Sequence, residues 1–296
     1  MLNQNVSPQT LGVARIAIFS MWLMSVGVIH LEDIAALPRV ILEQHGVLRL
    51  IPAPLWEAMW VPGFLVAFKA VLLGCLLWLV LGLPRYQLVA IVTCLLLTLF
   101  DGMAKGMGHI NHSKLALLYS AYILAAFPCA DALALARRRR PLAPPVMYAA
   151  PMVGVAMIIL VAYCAIGVHR IGKTGFELFA SDTLGSWFLK RAVESNPTGF
   201  ALGLPVLESP LLFNLNKLSF AVTGMFEALS PLCLFSRYFR WAWICAMIPF
   251  HVVTLLTMNI FFWPNIVIIA IFLTDSDKLI SRWLGPRAKT APHLAP

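Results

Sequence analysis

Residues 60–83 read WVPGFLVAFKAVLLGCLLWLVLGL, and after Pro84-Arg85-Tyr86 residues 87–107 read QLVAIVTCLLLTLFDGMAKGM. The first run carries a single charge, Lys69, and both are long enough to cross a hydrocarbon core of about 30 Å, which takes about 20 helical residues. Neither run alternates apolar and polar positions, so the strands of a membrane barrel are excluded. A proline and two polar-ended residues between them reverse the chain. The pair therefore predicts two spanning helices joined by a tight hairpin.

Working outward, apolar runs recur at about 11–31, 114–135, 146–169, 212–235, 241–258 and 260–275. With the first two they predict an all-α polytopic membrane protein of about eight transmembrane helices. The whole composition agrees: of 296 residues, 60% are hydrophobic and 12% charged, with a mean hydropathy of +0.85. Soluble domains hold about 45–50% apolar and about 25% charged residues, so a water-soluble domain is excluded. The formal net charge of +9 does not point to nucleic acid, because the basic residues sit in short loops beside apolar runs. Their partner is the lipid bilayer. The six cysteines all lie in apolar runs without a CxxC, and read as small packing residues.

Lys and Arg set the orientation. With the N-terminus inside, twelve basic residues flank the cytoplasmic face, among them Arg85, Arg137 to Arg140 and Arg237, and six flank the other face. Both termini are then cytoplasmic. Residues 1–275 form the transmembrane domain. Within it, residues 32–59 (Pro38, Pro52, Pro54) and 170–211 are too interrupted to span and are expected at the outer interface, the second with a short helix. Residues 276–296 are expected to be a disordered cytoplasmic tail.

Ionisable groups at membrane depth are costly and mark sites or pairs. Asp101 and Lys105 lie four apart, one helix turn, and read as an internal pair. His109 and His112 would continue their face if the helix ran on, and Asn111 or Ser113 could cap the next helix. His169, Arg170 and Lys173 close the fifth run, where cations also complement a helix C-terminus. Lys217 and Glu227 lie in the sixth run, His251 and Asn259 in the seventh. Lys69 could pair with any of the acids.

Several of these stretches resemble the HTTM family, the transmembrane domain that bacterial membrane proteins share with vitamin K-dependent gamma-carboxylase. The similarity lies in Ala14-Arg15-Ile16, in Asn111-His112-Ser113, in Ala165 to Ile171, and in Glu227-Ala228-Leu229-Ser230-Pro231 followed by Phe250-His251 through Pro264. The resemblance implies a bacterial cytoplasmic membrane location and a quinone (vitamin K-like) ligand. It places His112, His169, Arg170 and His251 as catalytic candidates, with Asn111, Lys173, Lys217, Glu227 and Asn259 binding substrate. The carboxylase's catalytic lysine position is Arg170 here. Arginine does not lose its proton in proteins, so the lysine's role does not transfer, and His169 or Lys173 would stand in for it. No metal is expected. With no lumenal domain after the membrane part, gamma-carboxylation is not expected either.

Three functions follow as alternatives. One is a membrane enzyme acting on a quinone-like or other lipophilic substrate. A second is a non-catalytic factor for a secreted peptide or a subunit of a membrane complex. The third is a proton-coupled carrier using Glu227, Lys217 and His251, a reading weakened by the lack of an internal repeat.

Overall fold

The computed structural model describes residues 6–106, 114–136, 142–174, 181–193, 202–260 and 262–284. Every regular element among them is helical. In chain order the α-helices are α1 (Pro8–Val28), α2 (Leu31–Ala35), α3 (Ala53–Ala58), α4 (Pro62–Leu81), α5 (Tyr86–Ala104), α6 (Leu115–Ala125), α7 (Val146–Thr174), α8 (Thr183–Val193), α9 (Gly203–Glu208), α10 (Pro210–Ala228), α11 (Arg237–Met258), α12 (Trp263–Phe272) and α13 (Ser276–Leu284).

Five of these are long and apolar enough to cross a membrane: α1, α4, α5, α7 and α11. Their surfaces agree, since Val66, Val71, Leu77, Leu88 and Leu95 stand exposed along α4 and α5, as lipid-facing side chains do. The expected run 114–135 is helical only over the 11 residues of α6, and 260–275 only over the 10 of α12. At about 1.5 Å per residue, neither helix covers the hydrocarbon core alone. α10 has the length, but Asn214, Asn216 and Lys217 interrupt its apolar character.

Helix ends follow local chemistry. Ser7, Ser209 and Ser236 cap α1, α10 and α11 with their hydroxyls, and Pro8 and Pro210 occupy first-turn positions where no N–H is needed. The α4–α5 hairpin is as tight as expected. Gly82 ends α4 at φ 65°, its N–H reaching the Leu79 carbonyl and the Leu83 N–H the Trp78 carbonyl, both at 3.2 Å.

The chain divides into two compact units. One comprises most of Asn3–Asn111 with Ser120–Met152 and the residues after Thr274. Here α1 packs along α4, and α4 along α5. Trp22, Leu65, Leu72 and Leu97 are fully buried. Residues 32–59 fold as short helices and 3-10 turns, as their prolines predicted. Gly102 lies so close to Leu48 that a Cβ would fall 2.1 Å from its Cδ1, so the small residue serves that turn. Lys105 pairs with Asp101 as expected, but α5 ends at Ala104. His109 and His112 lie, with Asn111, outside the described residues.

Two further expectations change in this unit. Among the described residues Lys69 meets no acid; its ammonium donates to the Ile29 carbonyl at 2.9 Å, closing the C-terminal end of α1. Arg15, within the first run as expected, is buried in α1 and donates to the Leu133 carbonyl. Residues 276–284 are the helix α13 rather than disordered tail. Asp277 fixes it to the start of α1, accepting from the Ser7 N–H at 2.8 Å and the Thr10 hydroxyl at 2.7 Å.

The second unit is mainly Val153–Thr274. α8, α9 and the start of α10 pack against α11 around Leu184, Phe188 and Met258. The Leu202 N–H joins the Leu256 carbonyl at 2.9 Å. The short helix expected within 170–211 is α8, with α9 after it.

Candidate functional site

The second unit encloses a cavity of about 540 Å3, bordered by α7, α8, α10, α11 and the start of α12. That size lies within the about 300–1,000 Å3 of small-molecule sites. Its bounding residues fall into three sets.

On α7, Tyr163, Ile166, Arg170 and Lys173 recur at intervals of three and four, which aligns them on one face. The face is held against α10 by a close approach. Gly167 has no side chain, and a Cβ there would lie 2.3 Å from the Ala228 nitrogen. Two hydrogen bonds brace the same contact: the Cys164 thiol to the Ala228 carbonyl at 3.2 Å, and the Ser230 hydroxyl to the Leu160 carbonyl at 2.6 Å. These bring Arg170 onto Glu227, with Nη1 donating to Oε2 at 2.9 Å. The Glu227 side chain is 2% exposed and that of Arg170 34%. A carboxylate this buried needs a charge partner, and Arg170 is that partner.

The second set is a polar trio. The Tyr163 hydroxyl lies 2.5 Å from His251 Nε2 and accepts from the Asn265 amide at 3.3 Å. The Tyr163 oxygen can accept from the amide and still either donate to or accept from His251 Nε2, the roles following the imidazole tautomer. His251 Nδ1 and Asn265 Oδ1 are buried and have no hydrogen-bond partner among the described residues. Leaving such buried groups unsatisfied costs about 1–3 kcal/mol each.

The third set is apolar. Phe220, Phe250, Met258, Ile260 and Phe262 wall the cavity, with Trp187 of α8 at another edge. Phe220 and Phe250 meet edge to face at 5.3 Å, and Phe262 approaches His251 at 5.3 Å.

Of the residues expected in the site, His169, Arg170, Lys173, Lys217, Glu227 and His251 all border this cavity. His169 is exposed, about 100° round the helix from Arg170. Lys217 does not face Glu227; it pairs with Asp182 at 3.1 Å and lies 4.5 Å from the Phe213 ring. Asn259 is displaced from its expected role. It ends α11 in the left-handed conformation, φ 52°, and is not among the bordering residues. His112 and Asn111 lie outside the described residues. Asp101 and Lys105 belong to the other unit and form the structural pair.

Two members of the site were missed from sequence, Tyr163 and Asn265. Each left a signal. Tyr163 precedes Arg170 by seven residues, two helix turns, and Asn265 is a lone amide ahead of Ile266-Val267-Ile268-Ile269. Among the described residues no group of three His, Cys, Asp or Glu could hold a metal ion. No family model matches the chain, and no curated protein or solved structure is significantly similar to it.

Proposed function

We propose that this chain is a multi-pass membrane protein of the HTTM type that binds a lipophilic small molecule in the cavity between α7, α10 and α11. The observation that carries this reading is a mostly apolar cavity of about 540 Å3 in which the buried Glu227, paired with Arg170, and the His251 imidazole both take part. In this reading the chain has eight membrane segments with both termini cytoplasmic, the shorter helices α6 and α12 being completed by non-helical residues. The bacterial cytoplasmic membrane is its location, and the distribution of basic residues supports that orientation.

A quinone-like ring fits the residues present. Phe250 and Phe262 would flank it, with the His251 imidazole at its edge. Such a ring supplies redox chemistry when bound; the chain's own residues bind and orient it. Arg170 acts as the counter-charge of Glu227 rather than as a base, and gamma-carboxylation is not part of the reading. The same pairing favours a second reading, binding without catalysis, in which the protein serves a secreted peptide or a membrane complex. A salt-bridged arginine at the family's lysine position leaves no base there.

Extraction of the purified protein, followed by mass spectrometry of the organic phase, tests the proposal. A lipophile present at about one per chain, and lost in His251→Phe at unchanged folding, is the expected result. A wild-type extract containing only detergent and bulk lipid would overturn it.

A further inference from the structure

The charges around the cavity are unequal. Among the described bordering residues Arg170, Lys173 and Lys217 are cations, and Glu227 is the only acid. Arg170 and Glu227 neutralise each other. The partner of Lys217, Asp182, is 92% exposed and does not border the cavity, and exposed pairs contribute little. Lys173, one turn beyond Arg170 on the same α7 face, adds a further positive charge, and His169 lies beside it.

The positive charge is also localised. On α10, Lys217 precedes Glu227 by ten residues, about 15 Å along the helix. On α7, Lys173 follows Tyr163 by ten, a similar distance. Lys173 therefore stands apart from Tyr163 of the polar trio, and Lys217 apart from Glu227, with Asp182 just before α8 paired to Lys217. Trp187 itself has Lys190 and Arg191 near its ring, at 5.7 and 5.9 Å. Between this basic end and the trio run Phe220, Phe250 and Ile166. The cavity is thus largely apolar between its polar groups, with the Lys173 and Lys217 cations away from the trio.

The geometry points to an amphiphile with a single anionic headgroup, phosphate or carboxylate, as the occupant: its head lies between Lys173 and Lys217 and its apolar body against Phe220 and Phe250. This rests on the cavity being a lipophile site and narrows the ligand class. A neutral ring would leave Lys173 without a further acid among the described bordering residues, whereas an anionic head complements it and joins the exposed Asp182 in facing Lys217.

Native mass spectrometry of the full chain in neutral detergent tests this, with four probes titrated separately: oleate, dioleoyl phosphatidic acid, dioleoyl phosphatidylcholine and dioleoylglycerol. Inorganic phosphate serves as a competitor. The expected result is one anionic probe retained per chain, at least tenfold more tightly than either uncharged or zwitterionic probe. Oleate and phosphatidic acid distinguish a carboxylate from a phosphate head. Lys173→Ala/Lys217→Ala should reduce the preference to under about threefold, while Lys278→Ala on α13 leaves it unchanged. If the double variant does not fold, the wild-type ranking alone decides. Equal retention of phosphatidic acid and phosphatidylcholine overturns the inference, as does displacement of phosphatidic acid by equimolar inorganic phosphate. Preferential retention of dioleoylglycerol overturns it while leaving the cavity a lipophile site. Retention of none of the four overturns both.

Discussion

Gly167→Ala is the most direct probe of how the site is assembled. The added methyl would lie 2.3 Å from the Ala228 nitrogen and 2.8 Å from both the carbonyl carbon and Cβ of Glu227. Two of these three atoms are backbone of α10, so no side chain can swing aside. Reaching an ordinary contact of about 3.4 Å requires the two helices to part locally by about 1.1 Å. That movement acts on the 2.9 Å Arg170–Glu227 bond and on the Cys164 and Ser230 hydrogen bonds that brace the contact. Overpacking of this kind costs about 1–3 kcal/mol. In lipid, where van der Waals packing drives helix association, no solvent-exclusion gain offsets it. Alanine favours a helix over glycine by about 1 kcal/mol, and Gly74→Ala isolates that gain, because a Cβ at Gly74 meets nothing within 4 Å. Thermal unfolding followed by tryptophan fluorescence, in one detergent, compares the two. Gly74→Ala should hold or raise the midpoint. Gly167→Ala should fall several degrees below it, at about 2–4 °C per kcal/mol. If the two variants unfold together, the close approach of α7 and α10 is not as described, and the placement of Arg170 on Glu227 loses its basis.

Arg170→Met leaves the Glu227 carboxylate buried without its partner. The loss should fall somewhat below the about 3–5 kcal/mol of a fully enclosed pair, since Arg170 retains 34% exposure. Adding Glu227→Gln should restore part of it, which a double-mutant cycle on unfolding midpoints measures. Tyr163→Phe removes the acceptor of the Asn265 amide and the partner of His251 Nε2 at once, at about 1–3 kcal/mol. Its unfolding midpoint should fall, and adding Asn265→Leu should cost little more because the amide is already stranded. Asp277→Ala releases the Ser7 N–H and Thr10 hydroxyl. Hydrogen–deuterium exchange at amides 7–10 should quicken severalfold while that of α11 is unchanged.

The membrane class and the hairpin at residues 82–85 were legible because they depend on length, apolarity and a glycine, all local properties. So was the Asp101–Lys105 pair, set by one helix turn. Partners chosen across the fold were not. Nothing local distinguishes Arg170 from Lys69 as the partner of Glu227; Gly167 and the bracing hydrogen bonds make that choice. The break after Met258 was legible at Asn259, which adopts the left-handed conformation. Other helix ends were overrun: the hydropathy runs 114–135 and 260–275 outlast the α-helices Leu115–Ala125 and Trp263–Phe272, because apolarity does not mark where a helix stops. Tyr163 and Asn265 escaped because charge was used to find sites, and the trio they make with His251 is uncharged.

The break between α11 and α12 has a consequence for how a ligand arrives. If α12 is the eighth membrane segment, as proposed, its 10 residues reach about 15 Å, half of the hydrocarbon depth, and the rest of that crossing falls to chain outside the helix. Open backbone inside a bilayer persists only where protein buries it or a cavity borders it. Ile260 and Phe262 do border the cavity. On that reading the cavity would reach toward the middle of the bilayer, with access sideways between helices from the acyl chains. Partition into the lipid, as much as affinity for the protein, would then set how full the site is.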